Sequence, residues 1–488
     1  MTRVPRAEVI VVGGGPAGST MAWRLARQGV SVLVLDRARF PREKVCGDYV
    51  EPRGLRILEA MGSLGRLEQA EPLPITHSAT YVDSLCAYRG PIPFYGRIEG
   101  LAPHGYIVPR DTLDDEMLAA AARAGAIVHQ DTSVSGVRVG PRGVEIEAGR
   151  GAETVRYRAS LVVGADGGNS VIARSRGLTV DDPRHVAVAQ RAYATVAGEL
   201  DLGEAAFFFD ETLFPGYGWL FPMAGGRVNI GVGILAETRA RLRVRVPDLF
   251  AAFVDRLRRV HPQCKRLELC APPIGGIVKT YGGHGRNHFD RGVMIGDAGS
   301  FVDPMTGEGI TPAMESALLA APVLEAALRE GRFDEARLVE YERAFRAYFD
   351  PSMVFLDLCA AMLRNRHLAR PWLRALKRGC QLAEADEGFA RGAAGYFGGL
   401  DIRPFGILGE MWVQVVRDLA LVWPRLALDH TAGTSLRDLI DWQTALTRSA
   451  LRDPLWHMRW AADVQLKWLA LLAAAPARRP DPRAVGLL

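Results

Sequence analysis

A short β-branched run at residues 8–12 (EVIVV) leads into Gly13-Gly14-Gly15-Pro16-Ala17-Gly18, a helix-forming stretch at 19–28, a second apolar run at 31–35, and then Asp36. A GxGxxG turn between strand and helix, with an acid at the tip of the next strand, is the arrangement that binds a dinucleotide. Gly13 permits the tight turn, Gly15 lets a pyrophosphate approach the backbone, and Gly18 lets the helix pack closely on the strand. The helix N-terminus offers N–H groups and positive dipole to the phosphates. Asp36 stands where a ribose hydroxyl is held. Strands of this kind are buried on both faces, so the chain must build a parallel sheet as its first layer.

Two later segments narrow the dinucleotide. Residues 161–170 read LVVGADGGNS, an apolar strand entering a Gly-Ala-Asp-Gly turn. Residues 292–299 read GVMIGDAG, another strand ending in an acid, followed by Asp303-Pro304 and Gly307-Glu308-Gly309 before a helix. In order and spacing these segments resemble the fingerprint of the FAD-dependent class that includes para-hydroxybenzoate hydroxylase. The resemblance implies FAD and an α/β fold: a Rossmann-like FAD-binding domain of that type, an inserted antiparallel-sheet substrate domain, and a C-terminal helical extension. It puts Asp297, after Gly296, on the ribityl chain. It also puts Pro304 and the backbone of Gly307, Gly309 and Ile310 toward the flavin's pyrimidine end, where reduction places negative charge. Asp166 and Gly167 fall in the turn beside the pyrophosphate, and Arg110, before the helix at 111–124, falls near the cofactor. Taken alone, Arg110 reads equally as a surface charge at a helix start. Pro16, Ala17, Arg37, Lys44, Cys46 and Gly47 complete the expected cofactor contacts. No second GxGxxG follows a strand, so the reductant is expected to be a transient visitor, either NAD(P)H or an electron-donor protein.

A third set of residues sharpens the resemblance. Residues 40–48 read FPREKVCGD, and residues 215–222 read PGYGWLFP, with Gly231-x-Gly233 eight residues further on. This Tyr-x-Trp-x-Phe-Pro pattern, with Lys-x-Cys-Gly before it, resembles the signature of the geranylgeranyl reductase family, whose members saturate C=C bonds in isoprenoid chains. The resemblance covers about residues 5–350. Tyr217, Trp219 and Phe221 alternate along a strand and share one face, with residues 228–234 pairing after a turn at Gly225-Gly226. On pattern alone that face is a packed core; by the resemblance it is an aromatic wall for an apolar chain. Phe207 to Phe209 read first as core. Reducing an isolated C=C bond needs a proton as well as a hydride. Cys46 is the candidate acid by resemblance, although a lone cysteine is more often a small buried hydrophobe. Tyr217 is the rival donor, with Trp219 beside it. Lys44 and Arg42 face a diphosphate, the FAD phosphates or solvent.

The expected boundaries are 1–70, 108–178 and 286–350 for the FAD-binding domain, 71–107 and 179–285 for the substrate domain, and 351–488 for a helical domain. Seven of the nine Trp fall after residue 351, and residues 408–421 and 453–472 carry apolar side chains at spacings of three and four. Such helices suit a cap over the substrate, an ordinary packed domain, or a peripheral contact with a membrane. The Pro- and Arg-rich end, 478–488, is expected to fray. A net charge of +5 spread over 488 residues gives no case for nucleic acid. The six cysteines show no CxxC pair or metal-ligand spacing. They suit a cytoplasmic protein, peripheral at most to the inner membrane face. The expected substrate is an apolar small molecule, a prenyl chain or a polyketide-like compound. Alternatives on the same fold are a monooxygenase, a halogenase, or an enzyme using FAD without redox turnover. The halogenase lacks support, because a Tyr-x-Trp-x-Phe-Pro pattern stands where Trp-x-Trp-x-Ile-Pro is typical.

Overall fold

The computed structural model describes residues 6–83, 85–91, 101–151, 153–179, 181–196, 203–283, 285–386 and 436–474. Its first sheet runs in the order His288–Phe289, Gly292–Met294, Glu153–Gly164, Arg6–Val12, Val32–Leu35, Ile127–His129. Arg6–Val12 is parallel to both neighbours, with Val9 opposite Leu161 on one side and Val32 on the other. All four residues of Val32–Leu35 are buried, as an interior parallel strand requires. The strand Glu153–Gly164 changes partners along its length. Its first part pairs antiparallel with Gly143–Arg150, and its last part joins the parallel layer beside Gly292–Met294. The helices Pro16–Ala26 and Ile310–Glu330 cover one face, burying Met21, Leu25, Met314 and Leu318 against Val9, Val11 and Val163.

The second sheet is antiparallel at its centre: Val186–Thr195, Arg227–Leu235, Tyr217–Met223 and Glu204–Phe209 in order. His77–Val82 adds parallel to Glu204–Phe209 and carries Leu85–Pro91 on its outer edge. The turn at Gly225-Gly226 has φ of +73° and +70°, a region only glycine adopts without strain. Alternation gives this sheet two faces. Phe208, Leu220, Ile230 and Val232 pack under the amphipathic helix Val246–Val260, where Gly218 leaves room for Phe253. Trp219, Phe221 and Met223 point the other way, toward Ile75, Ile107 and Tyr49. The Phe207 to Phe209 run therefore splits by parity. Phe208 is fully buried core, while Phe207 and Phe209 lie 6.1 Å and 5.8 Å, ring to ring, from Tyr217.

Residue 350 falls inside a single helix, Glu335–Leu363, of 29 residues. Tyr341, Phe345, Phe349, Met353 and Leu356 keep a buried stripe running along it. Beyond it lie Ala369–Ala385, Leu436–Arg452 and Pro454–Ala474, the last packed along Glu335–Leu363. Among the described residues no helix is long and apolar enough to cross a membrane. The expected helix at 408–421, Trp412, Trp423 and the 478–488 tail lie outside the described residues.

Candidate active site

The phosphate-binding turn is built for close approach. Gly13 has φ +104°, and a Cβ on Gly18 would lie 1.8 Å from the Gly13 carbonyl oxygen. Pro16 opens the helix, Gly15 precedes it without a side-chain cap, and no acid occupies its first turn. Its N-terminal N–H groups and dipole are thus left for an anion. The Arg42 guanidinium stands over the turn, 3.4 Å from where a Gly15 Cβ would be, and pairs with Asp114 at 2.9 Å. Asp36 accepts from the Gly14 N–H at 2.6 Å and the Ala38 N–H at 2.7 Å. It therefore braces the loop as well as standing at the ribose position. Arg37, next to it, is exposed.

The distant segments converge on this turn. Gly296 (φ +59°) packs so that its Cβ would sit 2.8 Å from Ala17 Cβ, and its N–H donates to Ser316 Oγ at 3.0 Å. Asp166 accepts from Ser170 Oγ at 2.5 Å and the Val171 N–H at 2.6 Å. It thereby fixes the turn at Gly167 (φ +78°). Gly309 starts the helix Ile310–Glu330 without a side-chain cap of its own. Pro304 is buried beside it, and Gly307 (φ +70°) donates to the Asp303 carbonyl at 3.0 Å. Lys44 Nζ pairs with Asp297 Oδ2 at 3.0 Å. An uncapped helix start, cations at both ends of the cleft and glycines at each close approach fit FAD. Gly13 to Gly18 with Arg42 would take the pyrophosphate, Asp36 the ribose, Asp297 with Lys44 the ribityl chain, and Gly307 to Ile310 the flavin ring.

Cys46 stands where this cleft meets the second sheet. The residue is half-buried, and enclosure by its neighbours pushes the thiol's pKa up. The Asp48 backbone N–H and the Arg110 guanidinium both point at its sulfur. Arg110 is therefore no surface charge: it is buried, holds Asp114 in a two-pronged contact at 2.8 Å and 2.7 Å, and meets the thiol. Gly47 brings this loop onto the aromatic wall, since its Cβ would lie 3.0 Å from Phe221 and 3.7 Å from Trp219 Nε1. Trp219 donates from Nε1 to Asn229 Oδ1 at 2.9 Å. Tyr217 donates its hydroxyl proton to the Thr306 carbonyl, and burial pushes its pKa up further. That proton holds the Gly307 segment to the sheet instead of pointing at a substrate.

Two groups escaped sequence reasoning. The first surrounds Asp48, which is buried with φ +64°. Its Oδ2 accepts from Tyr193 Oη at 2.6 Å and Asn229 Nδ2 at 2.8 Å. Asn229 Nδ2 also donates to the Cys46 carbonyl at 3.0 Å. Burial pushes the Asp48 carboxyl up to about 6, against the pull of Tyr193 and Arg191. The second group is under the Gly307 segment. Arg53 bridges Glu51 at 2.9 Å and Glu315 at 2.7 Å, and Tyr348 donates to the same Glu315 oxygen at 2.8 Å. Glu308 joins them while accepting from the Thr311 N–H at 2.8 Å. Burial raises the pKa of both Glu51 and Glu308. In the sequence these residues are scattered over loops, strands and helices, so no local pattern marked them.

A family described as FAD binding domain matches residues 6–208. The menaquinone reductase of Mycolicibacterium smegmatis is 34% identical over 334 residues, 65% of this chain and 76% of that protein. A digeranylgeranylglycerophospholipid reductase of Methanothermobacter thermautotrophicus is 32% identical, over 70% of this chain and 83% of that one. The chain belongs to the geranylgeranyl reductase family. This family member is an FAD-dependent oxidoreductase. Among solved structures, a geranylgeranyl bacteriochlorophyll reductase-like protein of Thermoplasma acidophilum superposes with a TM-score of 0.68 at 22% identity, covering 84% of this chain and all of that one. That likeness carries the fold.

Proposed function

We propose that the protein saturates C=C bonds in the prenyl chain of a lipid or quinone. The observation that carries this reading is the Cys46 loop. A thiol held between the Asp48 N–H and Arg110 lies on the loop whose next residue, Gly47, abuts an apolar wall of Trp219 and Phe221 at the edge of the FAD cleft. Bound and reduced, FAD supplies the hydride. Cys46 supplies the proton, Arg110 and the Asp48 N–H hold the thiolate that results, and the aromatic wall orients the chain while excluding water. The names of the relatives, reductases of menaquinone and of digeranylgeranyl lipids, support this over oxygenation. The reductant is read as NAD(P)H arriving transiently or a partner electron-donor protein.

The test is mass spectrometry of a geranylgeranyl-bearing lipid in two arms. One arm holds dithionite-reduced protein without oxygen, and the other supplies NAD(P)H in air. Gain of hydrogen pairs in the anaerobic arm is expected. Gain of oxygen only in air would replace this reading with a monooxygenase.

A lipid substrate brings in the last helix. Leu455, Met458, Leu466 and Leu469 are 62–68% exposed at spacings that fall on one face. We read this stripe, with exposed Arg452 and Arg459 beside it, as a peripheral contact with the inner face of the membrane. Leu455→Glu with Leu466→Glu is expected to release the protein from anionic lipid vesicles in a flotation assay, with flavin content unchanged.

A further inference from the structure

The proton donor must be reloaded after every bond, and the structure offers one group for that. We propose that Asp48 is the proton store that recharges Cys46 between reductions. The inference rests on the reductase reading above.

The geometry is specific. Asp48 lies two residues from Cys46 in a left-handed backbone conformation (φ +64°) that turns its own N–H toward the thiol sulfur. Its Oδ2 is saturated by Tyr193 and Asn229, while Oδ1 is buried with no hydrogen-bond partner among the described residues. A buried carboxylate oxygen without a donor is costly as an anion and natural as a protonated acid. Charged and titratable groups face it from several elements. Arg110 sits at its helix start, Arg191 and Tyr193 on one strand of the sheet, and Cys46 on its own loop. Two arginines allow the ionised form; burial keeps the neutral form within reach, with the carboxyl pushed up to about 6. The thiol's pKa is raised from its ordinary value, so a Cys46 thiolate is the stronger base and takes the proton readily.

The balance closes. Reduction of one C=C bond consumes one hydride, the flavin's contribution, and one proton, which leaves the Cys46 S–H bond and forms a C–H bond. The proton of the Asp48 carboxyl then moves to the sulfur, restoring the thiol and leaving a carboxylate. Solvent returns that proton by way of Tyr193, half-buried, whose hydroxyl already contacts Oδ2.

Asp48→Asn keeps an amide oxygen to accept from Tyr193 and Asn229 but carries no exchangeable carboxyl proton. Two measurements on the FAD-loaded full chain test the idea. The first uses no substrate: Cys46 alkylation by iodoacetamide is followed against pH by peptide mass spectrometry. Wild type is expected to show an inflection near pH 6 ahead of the thiol's own; Asp48→Asn should lack it and alkylate several-fold faster at pH 8, freed of the neighbouring charge. The second uses excess dithionite and a geranylgeranyl lipid without oxygen. Asp48→Asn should reduce about one bond per enzyme at near wild-type rate, since its thiol starts loaded, then turn over roughly 10²-fold more slowly. A burst and steady state that fall together, or an unchanged steady state, would overturn the store. If wild type reduces nothing, the functional reading fails; an alkylation profile identical in both proteins would still overturn the Asp48–Cys46 pair by itself.

Discussion

Cys46→Ala is expected to slow C=C reduction by about 10²- to 10⁴-fold, the contribution of a positioned general acid, while flavin content and reduction by dithionite stay at wild-type levels. The separation follows from where the residue sits. Its sulfur meets Arg110 and the Asp48 N–H, and its loop touches the aromatic wall. The phosphate turn and Asp297 are held by other contacts. Substrate binding depends on the wall, so KM should move little and the loss should fall on kcat. Rapid-mixing kinetics of the pre-reduced protein with a geranylgeranyl lipid, read by mass spectrometry, gives the value directly. A loss below tenfold would remove Cys46 from the chemistry. The hydroxyl of Tyr217 is committed to the Thr306 carbonyl, so the donor role falls to the thiol.

Arg53→Met is expected to destabilise the protein by about 3–5 kcal/mol near pH 8, because it strips the cation from a buried ionic group and leaves carboxyls facing one another. Glu51 and Glu315 lose a direct partner and Glu308 loses the nearest positive charge. The effect has a predictable pH direction. Burial pushes Glu51 up to about 7 and raises Glu308 as well. Groups with raised folded-state pKa bind more protons folded than unfolded. Their contribution is therefore fully present below the ordinary carboxylate range and is lost as pH rises through about 7. The gap between Arg53→Met and wild type should accordingly narrow toward pH 5, where protonation replaces the missing cation. Thermal unfolding of both proteins at pH 5 and pH 8 checks magnitude and sign together. A gap independent of pH would mean that lost packing, not charge, sets the cost.

How much of this was legible beforehand divides along physical lines. The cofactor cleft was readable because each of its parts is local. A strand, a glycine turn and a helix start are consecutive in sequence at 8–28, 161–175 and 292–310, and backbone geometry there demands particular residues. Alternation showed that Tyr217, Trp219 and Phe221 share a face, but only the resemblance made that face an aromatic wall, and Phe207 to Phe209, read together as core, divide only in the folded sheet. The proton and charge groups were not readable. Asp48 meets Asn229 across 181 positions and Tyr193 across 145. Arg53 meets Glu315 across 262. Such meetings are created by strand register and helix packing, and no local pattern announces them. Lys44 shows the same limit: its motif was plain beforehand, but its pairing with Asp297, 253 positions away, came from the fold.

The split strand Glu153–Gly164 also sets a timetable for synthesis. Its parallel end needs Arg6–Val12 on one side and Gly292–Met294 on the other. Arg6–Val12 therefore waits for a strand translated much later before its layer closes. At the usual pace of translation the interval is roughly 15–60 s. Meanwhile the antiparallel sheet that interrupts the chain has all its strands, from His77–Val82 to Ile274–Lys279. The nascent protein thus completes its aromatic wall before it can hold the coenzyme, and the yellow colour comes only after that wall has formed.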